Sequence, residues 1–103
     1  MDADRIFDAL ASGPRRAVLA ELSRQARTTS ELAGRFSISA PAMSRHLGVL
    51  ENAGLVVSRR QGQRVLYSLV RDTLMDALSG LAADLSPAAA LEPDAPKGRR
   101  EAI

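Results

Sequence analysis

The chain has 103 residues, 46% hydrophobic and 25% charged, with two phenylalanines and one tyrosine. That length fits one small domain burying about two-thirds of its unfolded surface, and its Leu, Val, Ile and Ala favour helices over a sandwich or barrel. The absence of cysteine excludes disulfides, thiolate metal sites and thiol redox chemistry, and no run approaches the roughly 20 apolar residues of a membrane span. Net charge is +2, but residues 12–71 hold ten arginines against three glutamates, while residues 1–11 and 72–96 are net acidic. A basic middle between acidic flanks suits a polyanionic partner, and equally a solvated arginine-rich face.

The opening MDADRIFDAL is acidic and amphipathic, unlike a secretory leader, so a cytoplasmic protein is expected. Ile6, Phe7 and Leu10 recur at helical spacing over residues 4–11. Ser12-Gly13-Pro14 then interrupts the chain and restarts it, with Ser12 or Gly13 as cap and Pro14 in the first turn of a helix over about 14–25. Ala17, Val18, Leu19 and Leu22 form its apolar stripe. Thr28-Thr29-Ser30-Glu31 fits a capping box opening a short helix that turns Leu32, Ala33 and Phe36 inward. Ser37-Ile38-Ser39 is a tight connection with Ile38 tucked into the core, and Ser39 caps a fourth helix with Pro41 in its first turn. Met43, Leu47 and Leu50 are that helix's buried face, and Gly54 ends it in a left-handed conformation.

From Leu55 the period changes. LVVSRR and RVLYSL are β-rich runs joined through Gln61-Gly62-Gln63, a hairpin. Asp72 is expected to cap a last helix in which Leu74, Leu78, Leu81 and Leu85 form a stripe. Residues 86–103, rich in Pro and Ala, read as a disordered tail, leaving residues 1–85 as the folded domain. The order α-α-α-α-β-β-α, mainly helical with a β-hairpin wing, is a winged helix-turn-helix.

Such a fold offers its fourth helix to the major groove of DNA. The positions that Met43, Leu47 and Leu50 leave outward include Ala40, Ala42, Ser44, Arg45 and Gly48, mostly small, as close backbone approach requires. Arg45 suits guanine O6 and N7, Ser44 a base or phosphate, and Ala40 or Ala42 a thymine methyl. Ser37 and Ser39 suit phosphate oxygens, Ser39 with a cap as its other role. His46, the one histidine, suits a backbone or phosphate hydrogen bond better than a metal. In the hairpin, Arg59, Arg60, Gln63 and Arg64 can enter a narrow minor groove or simply keep an edge soluble. Arg15 and Arg16 can reach phosphates or stay solvated. The leucine stripe, with Ile6, Phe7 and Leu10, exceeds what a small core needs at its ends and points to a homodimer.

Three runs, LASGPRRAVLAEL (10–22), TTSELAGRFSISAPAMSRHLGVLENAGLV (28–56) and SRRQGQRVLYSL (58–69), resemble the ArsR/SmtB family of bacterial winged-helix repressors. The Ser39–Val56 segment matches that family's recognition helix and the start of its first wing strand. The resemblance spans roughly residues 4–85 and implies a homodimer, paired through first and last helices, that represses transcription from an imperfect inverted repeat. The family's cysteine motif is replaced here by Thr28–Leu32, and the last helix has Asp72, Asp76 and Asp84 but no histidine. The chain is therefore most similar to the metal-independent, SdpR-like branch, with no metal or other cofactor expected. An enzyme is not expected, since there is no cysteine, only one histidine, no Gly-rich phosphate loop and no carboxylate pair outside exposed helix faces. The competing reading is a winged-helix protein-docking module, or an antitoxin or co-regulator acting through its leucine helix.

Overall fold

The computed structural model describes residues 2–87. The elements are α1 (Ala3–Leu10), α2 (Gly13–Leu22), β1 (Arg27–Thr28), α3 (Thr29–Phe36), α4 (Ala40–Asn52), β2 (Val56–Gln61), β3 (Arg64–Leu69) and α5 (Arg71–Leu85). This is the expected winged helix-turn-helix with one addition. Two residues before α3 form the short strand β1, which pairs antiparallel with β3 through Arg27↔Tyr67 and Thr28↔Leu66. The hairpin is thus part of a three-stranded sheet of order β1-β3-β2.

Local chemistry accounts for the boundaries. Ser12 caps α2 by accepting from the Arg15 amide at 3.3 Å. The capping box of α3 is complete: Thr28 Oγ1 accepts from the Glu31 amide at 3.2 Å, and Glu31 Oε1 accepts from the Thr28 amide at 2.9 Å. Helices α3 and α4 stop in the same way. Ser37 and Gly54 each adopt a left-handed conformation, at φ 55° and 77°. Beyond each, an amide reaches back six residues inclusive, Ile38 N–H to Ala33 O at 3.1 Å and Leu55 N–H to Leu50 O at 2.9 Å. Both are Schellman ends, which satisfy carbonyls the helix leaves orphaned. The hairpin turns on Gly62-Gln63, with Gln61 facing Arg64 and φ 62° at Gly62, as a tight hairpin turn of matching twist requires.

Ile6, Val18, Leu22, Leu32, Met43, Leu47, Leu50, Leu55 and Val56 are all buried in one core. Ile38, Tyr67, Leu69 and Leu74 pack against it, half-buried. Two expectations are corrected here. Ile6, expected on a surface shared with a second copy, is only 2% exposed and belongs to the core, with only an edge reaching the groove between α1 and α5. Asp72 does not cap α5: the cap position is Val70, without a side-chain hydrogen bond, and Asp72 lies in the first turn. There an acidic residue complements the helix dipole instead. The tail expected at 86–103 lies, beyond Pro87, outside the described residues. Among those residues no helix is long and apolar enough to cross a membrane.

Candidate nucleic-acid interface

Helix α4 is held by its buried face, Met43, Leu47 and Leu50, each 0% exposed. Opposite that face lie Pro41, Ser44, Arg45, Gly48 and Asn52, separated by three or four residues and so on one side of the helix. Ser44 and Arg45 are exposed, as are Ala40 and Ser39, while Ala42 and His46 are half-buried on the flank toward the core. Of the expected contacts on this helix, Ser44 and Arg45 therefore stand outermost. Asn52 and the 38%-exposed Val49 extend the face toward the wing. Sequence reasoning passed over both, although their spacing from Arg45 carries the signal.

The connection preceding α4 is equally exposed. Ser39 Oγ accepts from the Ala42 amide at 3.2 Å, so its first role is the cap. Ser37 is exposed, held at positive φ by the Schellman end of α3.

The wing is less uniform than its sequence. Alternation puts Ser58 and Arg60 opposite Tyr67 and Val65, and Val57 and Arg59 opposite Ser68 and Leu66. Arg59 and Arg60 therefore leave opposite faces of the ribbon, and only Arg60 shares a side with core-packed Tyr67 and Leu69. Arg64 at the turn lies 3.9 Å from Glu31 Oε2, a loose pair linking the wing to the start of α3. Gln63 is exposed beside it. At the other end, Ser58 Oγ donates to Glu51 Oε2 at 2.8 Å, fixing the base of β2 against the last turn of α4.

Most remaining arginines are used inside the fold. Arg15 and Arg16 are engaged within the fold: Arg15 Nε and Nη2 donate to the Ala9 and Asp8 carbonyls at 2.8 and 3.2 Å, and the exposed Arg16 donates from Nη1 to the Leu10 carbonyl at 2.7 Å. They cap the C-terminus of α1 from the following helix. Glu21, its side chain 6% exposed, accepts a hydrogen bond from Arg27 Nε at 3.0 Å and forms an ion pair with Arg35 Nε at 3.1 Å on one oxygen, with Arg24 3.6 Å from the other. A buried carboxylate needs such partners. This one ties α2 to β1 and α3. Among the described residues, Arg45, Arg59, Arg60 and Arg71 have no hydrogen-bond or ion-pair partner within the basic middle of the chain. Three of those four stand on α4 and the wing.

Elsewhere, α1 and α5 enclose a groove lined by Ile6, Phe7, Ala77 and Leu81 with Asp72, Asp76 and Asp84. Met75, Leu78, Leu81 and Leu85 are 49%, 42%, 41% and 71% exposed, whereas Leu74 packs on the core. The leucine stripe thus divides, Leu74 serving the fold and its continuation standing bare. Phe7 and Leu10 are half-buried beside it.

Comparison with known proteins bears on the fold and the family. A sequence profile described as a helix-turn-helix domain matches residues 10–59. The transcriptional repressor SdpR of Bacillus subtilis is 33% identical over 74% of this chain and 84% of its own length. The HTH-type transcriptional regulator Rv2034 of Mycobacterium tuberculosis is 44% identical over 64% of this chain, but the match spans only 62% of that protein. Among solved structures, an ArsR family transcriptional regulator superposes with a TM-score of 0.72 at 34% identity, covering 79% of this chain and 89% of that one. The homodimeric winged helix-turn-helix DNA-binding domain of Mb0332 from Mycobacterium bovis gives 0.68 at 30% identity, covering 79% and 77%. Fold and relatives converge, and the chain belongs to the ArsR/SmtB family of winged helix-turn-helix transcriptional regulators.

Proposed function

We propose that this chain is a sequence-specific double-stranded DNA-binding regulator, acting in the cytoplasm as a homodimeric repressor on an inverted repeat and sensing no metal. The observation that carries the reading is the distribution of unpartnered charge. Most other arginines of the basic middle are engaged by α1 carbonyls, Glu21 or Glu31, while Arg45, Arg59 and Arg60 are left available on α4 and the wing, with Arg71 at the start of α5 also unpartnered among the described residues. Arg45 and Ser44 read base edges, Ala40 and Ala42 line the helix flank, and Ser37, Ser39 and His46 serve the phosphates. Arg59, Arg60, Gln63 and Arg64 add wing contacts to the adjacent groove.

Residues 1–85 serve as one unit for DNA binding and dimerisation. The second copy covers the apolar surface of α5 at Leu78, Leu81 and Leu85, with Phe7, Leu10 and Leu74 at its edge, in keeping with the homodimeric relative. Metal-independence is supported by the lack of cysteine and by His46 lying on α4 rather than near the α5 aspartates. Those carboxylates do not converge: among the described residues no three metal-ligating side chains are placed to hold an ion. The protein does no catalysis. Its output is occupancy of DNA.

Selection from a randomised duplex pool tests the reading. The purified protein is expected to enrich an inverted repeat with half-sites about one helical turn apart. Enrichment of no sequence would overturn it, and would favour the docking-module alternative, in which α5 meets a different protein.

A further inference from the structure

Gly48 stands in the middle of α4, a helix of 13 residues, where glycine is among the poorest formers. The backbone does not require it, since positive φ occurs at Gly54 and Gly62 but not here. Packing does not require it either: a Cβ at Gly48 would meet no heavy atom within 4 Å. Gly34 and Gly80 are equally open, but Gly34 lies in the last turn of α3 and Gly80 lines the groove between α1 and α5. Only Gly48, among these three, sits on the outward face of α4, one turn after Ser44 and Arg45 and one turn before Asn52. It costs helix stability and returns nothing among the described residues.

An α-helix with its side chains is about 10–12 Å across, close to the roughly 12 Å width of the major groove. A side chain at the centre of the leading face holds such a helix away from the base edges. Its removal lets the backbone descend, and brings short side chains such as Ser44 within reach. We infer that Gly48 is the point of closest approach between α4 and the DNA, and that it sets whether Ser44 and Arg45 reach the bases. The inference rests on the DNA-binding function proposed above and deepens it.

The test is Gly48→Ala, compared with wild type by thermal unfolding and by titration of two probes: a mixed-sequence duplex and the duplex that wild type selects from a randomised pool. The variant is expected to melt about 4–8 °C higher, because alanine favours the helix and meets open space. It is expected to bind the selected duplex about tenfold more weakly, a loss the size of one base contact, with an unchanged salt dependence on the mixed duplex. A structural role cannot produce higher stability and weaker sequence reading together. Undiminished binding to the selected duplex overturns the inference, and so does a lower melting temperature, which would mean the site packs within the fold. If wild type selects no duplex, the DNA-reading function itself fails, a separate outcome seen before any variant is made.

Discussion

Arg45 and Glu21 show how differently the same charge chemistry is used at single positions. Arg45 is exposed and, among the described residues, unpartnered; replacing it with alanine should cost about 1–3 kcal/mol on the selected duplex and relax base preference. Equal weakening on selected and mixed duplexes, measured by equilibrium titration, would make it a phosphate contact instead. Glu21 is buried under three guanidinium groups and touches nothing outside the fold. Glu21→Gln should therefore lower folding stability by about 1–3 kcal/mol in urea unfolding, and a neutral effect would contradict its role as a tie between α2, β1 and α3. Ser37 holds a left-handed conformation that glycine adopts without penalty. Ser37→Gly should raise the urea midpoint, and a lower midpoint would mean the Ser37 side chain stabilises the turn. At this scale the sequence was only half legible. It exposed Arg45 through the helical period, because that period is local. It counted Arg15, Arg16, Arg24, Arg27 and Arg35 as positive charge without revealing their partners, because those partners are supplied by tertiary packing.

Among the elements, legibility followed the strength of local signals. The capping box at Thr28–Glu31, the Ser39 cap, the Gly54 stop and the Gly62 turn all occur where the residues require them. Strand β1 did not show, since two residues carry no period and exist as a strand only through pairing with β3. The start of α5 was misread for a related reason. Asp72 has the chemistry of a cap, yet the helix begins directly after Val70, as β3 delivers the chain into it. The α3 capping box also yields a pH prediction. The hydrogen bond from the Thr28 amide holds the Glu31 carboxyl below its ordinary value, aided by the Thr28 hydroxyl and by Arg27 and Arg64 against a smaller opposing effect of burial than the amide exerts. A carboxyl lowered in the folded state contributes stability that is present above its unfolded pKa and lost as pH falls through its folded pKa. Wild type should therefore lose stability relative to Glu31→Gln on acidification through the carboxylate range, since glutamine keeps the box but not the charge. Urea midpoints that fall in parallel for the two proteins would contradict this.

For the whole molecule, the proposed function assigns different tasks to two surfaces. One is α4 and the wing with their available arginines; the other is the bare continuation of the α5 leucine stripe. Sequence spacing identified that stripe but could not divide it, because a leucine facing its own core and one facing a partner recur with the same period. Burial separates them, assigning Ile6 and Leu74 to the fold and leaving Leu78, Leu81 and Leu85 exposed. Leu78→Glu with Leu81→Glu should convert a dimer to a folded monomer by sedimentation, and weaken binding to a two-site duplex far more than to a half-site. Persistence of the dimer would place the interface elsewhere. On the proposed function, with so few side chains on α4 to read bases, specificity depends on that doubling. The most direct measurement is a footprint of the purified protein on the DNA upstream of its own coding sequence, or on its selected duplex. Two protected tracts on one face of the DNA, centred about 10–10.5 base pairs or a multiple of that apart and related by inversion, are predicted. Protection of a single tract, or none distinguishable from mixed-sequence DNA, would contradict a dimer that reads an inverted repeat.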